Sequence, residues 1–203
     1  MSTKPIAKQV VPGAAGAESA AAEEGAVRPR DSLFHWSGTV DAIRVTPHRE
    51  EKRAILVAYF EAVAAETIAP ATRMFVGEIF PSDGSAPRWV DWEVVAQAIQ
   101  GVTRMSDESL RARCSKLGDI ASVAADAFAG RLPSGIAVVE VADWAAELAG
   151  AFEPEDEREL VSGMLARLSS LEACYLVQLI VGDFQIGLDV GDIESAVAAR
   201  QPR

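Results

Sequence analysis

From Leu171 to Leu188 the chain reads LEACYLVQLIVGDFQIGL, apolar on almost every face of a helix until glycine interrupts it. Leu171, Tyr175, Leu176, Leu179 and Ile180 recur at helical spacing, and Cys174, Val177 and Val181 fill most of the other faces. A helix apolar all round belongs inside a domain. Ser169 and Glu172 just ahead have the Ser-x-x-Glu spacing of a capping box, which satisfies orphan amides at a helix start. Gly182 ends the pattern, and Asp183–Leu188 predicts a short exposed turn containing Gly187, before another helix begins near Asp189. A rigid loop delivered by a buried helix suits a ligand contact, although a plain helix–helix connection has the same pattern.

The rest of the chain repeats this texture. Apolar positions at helical spacing predict helices at roughly 34–44, 48–65, 70–80, 89–102, 107–114, 118–129, 135–150, 155–168, 170–181 and 190–199. Strand signals are scarce, so the predicted fold is all-α, a single multi-helix domain. Thr46 followed by Pro47 offers an N-cap and a preset first residue for the second helix, and Pro70 opens the third in the same way. Pro81–Pro87 reads as a loop and Arg131–Gly135 as the midpoint hinge. Trp89, Trp92 and Trp144 sit beside Val and Ala on helical faces, the setting of core packing rather than base stacking.

A shift of 105 positions lays one half on the other. Ile55, Leu56, Tyr59, Phe60 and Val63 fall on Leu160, Val161, Met164, Leu165 and Leu168, and Met74-Phe75-Val76-Gly77-Glu78 falls on Leu179-Ile180-Val181-Gly182-Asp183. Amphipathic helices share such spacing by chance, but the common Val-Gly-acid ending at one offset points to duplication. Two pseudo-repeated helical halves would present Gly77 and Gly182 at related places, able to straddle a duplex.

With 203 residues, 49% of them hydrophobic, the chain can bury one sizeable core. The first 30 residues are rich in Ala, Gly and Glu and read as a disordered tail, leaving 31–203 as the helical domain. No secretory or membrane-spanning run appears. Cys114 and Cys174 lie within helical patterns as small core hydrophobes rather than a disulfide, and His35 and His48 form no metal-ligand cluster. The acidic run Glu153–Glu159 reads as a solvated helix start, favoured by the helix dipole. Net charge is −11. The tail carries Lys4, Lys8, Arg28 and Arg30 against Glu18, Glu23 and Glu24, a balance of +1, so the remaining residues carry −12. A nucleic-acid binder ordinarily advertises a basic face, and this composition does not.

Several motifs nevertheless resemble one family. The 169–188 stretch is similar to the "SPLEARYLVRLILGDLRIGL" segment that closes the N-terminal DNA-binding domain of ATP-dependent DNA ligases. Glu51-Lys52-Arg53 followed by Ala54-Ile55-Leu56 resembles that family's first core helix. Gly77-Glu78-Ile79-Phe80-Pro81 resembles its "GRLFP" helix end, and Ser106–Leu110 through Lys116–Ala124 its "GDLGEVAE" segment. The resemblance runs from about Phe34 to Val197. It implies a module that holds nicked or duplex DNA through minor-groove backbone contacts, in repair, replication or recombination. It also implies a cytoplasmic location, nucleoid-associated in a bacterium, with no membrane partner.

A sequence-independent duplex binder needs phosphate donors. The candidates are Thr46, Arg49, Lys52 and Arg53 around the second helix start, Lys116 and Gly118 at the junction before Asp119, and Gly182, Gln185 and Gly187 in the C-terminal loop. The family loop carries an arginine where this chain has Gln185, with Asp189 and Asp192 soon after. Glutamine donates an amide N–H but releases no counterion, so weak, salt-sensitive binding is expected.

Ligase chemistry needs an adenylated lysine in Lys-x-Asp-Gly. The four lysines, Lys4, Lys8, Lys52 and Lys116, form no such motif. No catalytic residue, metal site or cofactor is assigned to this stretch, and the resemblance implies ATP and Mg²⁺ only for a separate catalytic part, with a separately encoded catalytic subunit as the candidate partner. The pattern holds no Ser/His/Asp set and no Gly-rich phosphate cradle. The acidic balance leaves a second reading open: a degenerate ligase-like protein-interaction module.

Overall fold

The computed structural model describes residues 29–81 and 88–200. Its α-helices are α1 (Leu33–Val45), α2 (Arg49–Ala62), α3 (Ala65–Val76), α4 (Trp92–Thr103), α5 (Asp107–Leu117), α6 (Ile120–Ala127), α7 (Val138–Gly150), α8 (Pro154–Leu165), α9 (Ser170–Val181) and α10 (Val190–Ala199). Among the described residues the β structure is limited to an isolated bridge between Ser32 and Ala137. The all-α single domain is therefore as expected.

One hydrophobic core unites most helices. Trp36, Leu56, Phe60, Leu148, Val161, Leu176 and Ile180 have no exposed surface, and Phe75, Met74 and Leu165 almost none. A smaller cluster of Ala96, Leu110 and Val123 seats α5 against α4 and α6. The shift of 105 positions carries Leu33–Val45 onto Val138–Gly150, Ala65–Val76 onto Ser170–Val181, and Arg49 onto Pro154 at the start of α8. Packing partners exchange in the same manner. Helix α1 lies against α9 and α7 against α3, while α10 lies on α2 and α4 on α8.

Local boundaries differ from expectation where a distant group does the capping. Thr46 does not open the second helix. It closes α1, its hydroxyl donating to the Ala42 carbonyl at 2.7 Å, a back-bond open to threonine at helical spacing. Preceding a proline also holds Thr46 extended. Helix α2 starts at Arg49 behind His48. Nor does Pro70 open the third helix, for it lies inside α3. That helix starts earlier because the buried Asp31 carboxylate accepts the Ala64 amide at 2.7 Å and the Thr67 hydroxyl at 2.9 Å. The tail expected over 1–30 lies outside the described residues as far as 28, and Pro29–Asp31 forms a 3₁₀ turn. Positions 82–87 of the expected 81–87 loop also lie outside.

The buried helix α9 is set at its start by the capping box. Glu172, fully buried, accepts the Ser169 amide at 2.9 Å and its hydroxyl at 2.6 Å. The same carboxylate accepts the Ser134 amide at 3.1 Å and hydroxyl at 2.6 Å, tying the 131–135 hinge to α9. A buried charge is tolerable only when so satisfied. Glu172→Ala strands those donors and is expected to lower stability by about 1–3 kcal/mol, measured by urea denaturation. Glu147→Ala, at an exposed position, is expected to stay within about 0.5 kcal/mol of the unaltered protein.

Candidate nucleic-acid interface

Helices α3 and α9 end alike. Gly77 and Gly182 are left-handed, at φ 91° and 80°. After each, the next amide reaches back to the same relative carbonyl, Glu78 to Arg73 and Asp183 to Gln178, both at 2.9 Å. This is the Schellman closure. Each glycine is covered by an aromatic from beyond the other. Phe184 packs on Gly77, and a Cβ on Gly182 would lie 2.8 Å from the Trp89 ring. Trp89 is thus not the core residue expected. Its indole lies across a glycine backbone and stays 48% exposed, and Trp92 is 57% exposed; of the three tryptophans expected to pack in the core, Trp144 alone is buried.

Burial alternates along the chain beyond Gly182. Phe184 stacks on Trp36 with centroids 5.5 Å apart, and Ile186 is buried. Asp183, Gln185 and Gly187 face outward between them. The loop is therefore anchored through its apolar residues and displays its polar ones.

Helix α2 brings cations to this loop. Lys52 Nζ donates to the Ile186 carbonyl at 3.0 Å and sits over Gly187. Arg49 Nη2 lies 2.6 Å from Asp189 and 2.8 Å from Asp192, and Nε donates to Asp192 at 3.0 Å. Arg53 faces Asp192 at 3.7 Å and Glu50 at 3.4 Å. Burial alone would raise the Asp192 carboxyl. Hydrogen bonds from Arg49 and the Asp189 amide, with the charges of Arg49 and Arg53, outweigh it and hold the group below the usual aspartate range. The same pairing raises the Arg49 guanidinium above its ordinary value.

The profile of the family described as "DNA ligase N terminus" matches residues 34–198. The chain belongs to that family. A probable DNA ligase of Opitutus terrae is 28% identical, the match covering 83% of this chain and 20% of that protein. One of Koribacter versatilis is 26% identical over 79% of the chain and 28% of its own length. DNA ligase 1 of Methanosarcina barkeri is 28% identical over 59% of the chain and 22% of its length. The chain thus spans less than a third of these relatives.

Within this ligase N-terminal domain, Arg49, Lys52, Arg53 and Gly187 come together, with Gly182 and Gln185 on the same loop. Thr46 is half-buried at the end of α1, its hydroxyl already used. Lys116 and Gly118 are exposed at the α5–α6 junction, on helices separate from α2 and α10. Sequence reading missed Arg44. The α1–α9 crossing places its guanidinium 5.6 Å from the Tyr175 ring and 2.9 Å from Gln178, whose carbonyl closes the Gly182 turn. No local motif marks it.

Gly182→Ala is expected to cost about 1–2 kcal/mol from the left-handed backbone alone, and more while Trp89 obstructs the Cβ. Thermal denaturation of G182A with and without Trp89→Ala separates the two contributions. Because the Asp192 carboxyl is depressed in the folded state, its contribution is complete above the ordinary aspartate range and lost as pH falls through the folded value. Urea midpoints of the unaltered protein and Asp192→Asn are expected to differ at neutral pH and to converge in acid.

Proposed function

We propose that this domain holds duplex DNA, nicked duplex above all, through the sugar–phosphate backbone in the minor groove, as the N-terminal module of an ATP-dependent DNA ligase. The observation that carries the reading is the bond from Lys52 Nζ to the Ile186 carbonyl. It joins the basic first turns of α2 to the loop that displays Gln185. Cationic side chains and exposed glycine-flanked backbone are the donors that backbone recognition uses, without reading bases. Membership in a ligase family and relatives named as DNA ligases support the same reading.

The proposed role is positioning. With no Lys-x-Asp-Gly in the chain, nucleotide transfer, with its ATP and Mg²⁺, falls to the remainder of a ligase, in one polypeptide or in a separate catalytic subunit. The work is that of replication, repair or recombination. Fluorescence anisotropy of a labelled nicked duplex, from low to physiological salt with unnicked duplex alongside, tests this. Binding that weakens steeply with salt is expected. Gln185→Arg adds one phosphate contact and is expected to tighten binding and steepen the salt slope by about one. An unchanged slope removes the loop from the interface, and no binding at low salt overturns the reading.

One observation favours the alternative of a protein-interaction module. A groove of about 700 Å³ between α7 and α8 is lined by Glu140, Asp143, Glu147, Asp156 and Glu159 against the single cation Arg167, itself paired to Glu140, with Trp144 below. A duplex is repelled there, whereas a basic protein segment is not.

A further inference from the structure

We propose that Asp189 and Asp192 set the affinity of the duplex contact by occupying, with their carboxylates, the places that backbone phosphates take on Arg49. The inference rests on the duplex-binding reading above. Arg49 presents one edge of its guanidinium, Nε and Nη2, to α10, and both atoms of that edge are engaged by carboxylate oxygen at 2.6–3.2 Å. This is the fork geometry by which arginine also grips phosphate. A hollow of about 360 Å³ opens here, lined by Pro47, Arg49, Lys52, Gly187, Asp189 and Asp192. Two cations and two carboxylates face each other across it, so the cations reach a phosphate only in competition with the acids.

The two acids do different work. Asp192 is the fixed one. Its side chain is 5% exposed, and its carboxylate accepts the Asp189 amide at 3.2 Å besides holding Arg49. Asp189 is the outer one, 64% exposed. Its Oδ1 caps α10 by accepting the Asp192 amide at 2.9 Å, and its Oδ2 takes Arg49 Nη2 at 2.6 Å. One oxygen is structural and the other is electrostatic. An exposed pair of this kind is held weakly, so an approaching phosphate displaces Asp189 from Nη2. The displaced carboxylate remains beside the phosphate and repels it. Affinity is held down twice, by competition and by residual charge.

Asp189→Asn separates the two roles, since asparagine is as good an N-cap as aspartate and carries no charge. The test is anisotropy of a labelled nicked duplex with wild type, D189N, R49A, the double variant D189N/R49A, and D143N. The last makes the same change of charge in the α7–α8 groove. D189N is expected to tighten binding by roughly threefold to tenfold at low salt and to steepen the salt slope by about one. That gain disappears in D189N/R49A, because the released donor is Arg49, and D143N leaves the slope unchanged. Equal gains from D189N and D143N would mean that net charge alone acts, and would overturn the proposal. A gain that survives R49A overturns it as well. Wild-type binding with no gain in D189N refutes the carboxylate role and leaves the duplex reading standing, whereas no binding by any variant at low salt refutes that reading itself. Melting by circular dichroism checks the fold. If D189N proves unfolded, Asp189→Ser, which also caps, takes its place with the same expectations.

Discussion

A carboxylate with no exposed surface governs where the candidate interface sits. Glu172 would be intolerable in an apolar interior without partners, and Ser169 and Ser134 each give it an amide and a hydroxyl. The first pair fixes the entry of α9; the second fastens the hinge between the halves. From the same hinge, the Ile136 carbonyl takes the Leu33 amide at 2.7 Å and so locates the start of α1. Helix α9 then runs as a buried rod of about 18 Å to Gly182. The loop beyond is displayed at a place decided at the rod's other end. Phe184 and Ile186 hold it down, and Gln185 is left facing out.

The charge of the chain and the family it belongs to pull in different directions, and the structure localises the conflict. Net charge acts at long range and slows the approach of a polyanion, but contact affinity depends on the donors that reach phosphates. The cations proposed for that role gather at the start of α2, where Asp192 on α10 engages Arg49 and Arg53. A separate concentration of acid lies in the groove between α7 and α8. We propose internal duplication as the origin of the two halves, on the shared helix bounds and exchanged packing. The matched surfaces differ in charge: Glu140, Asp143 and Glu147 correspond at the 105-residue shift to His35, Gly38 and Ala42.

What was legible in the sequence was whatever local chemistry encodes. Periodicity placed the helices, Ser169 and Glu172 marked a true cap, and Gly77 and Gly182 ended their helices as the shared ending implied. What was not legible depended on groups far apart in the chain. The start of α3 is set by Asp31 rather than by Pro70, a signal 33 residues upstream of the amide it caps. Trp89 read as core because its neighbours are apolar, yet its partner is a glycine backbone that only the fold brings beneath it. Arg49 and Lys52 were found as cations; that Arg49 is already held by carboxylates could not be read from spacing across about 140 residues.

We propose that the start of α2 and the 182–188 loop together form the face that meets DNA. Backbone amide chemical-shift mapping during titration with nicked duplex tests it most directly. Shifts are expected to concentrate at Arg49, Lys52, Gln185 and Gly187 and to fade as salt is raised, with the α7–α8 groove unmoved. Shifts centred on Glu147 and Glu159 instead, or none at low salt, would contradict it.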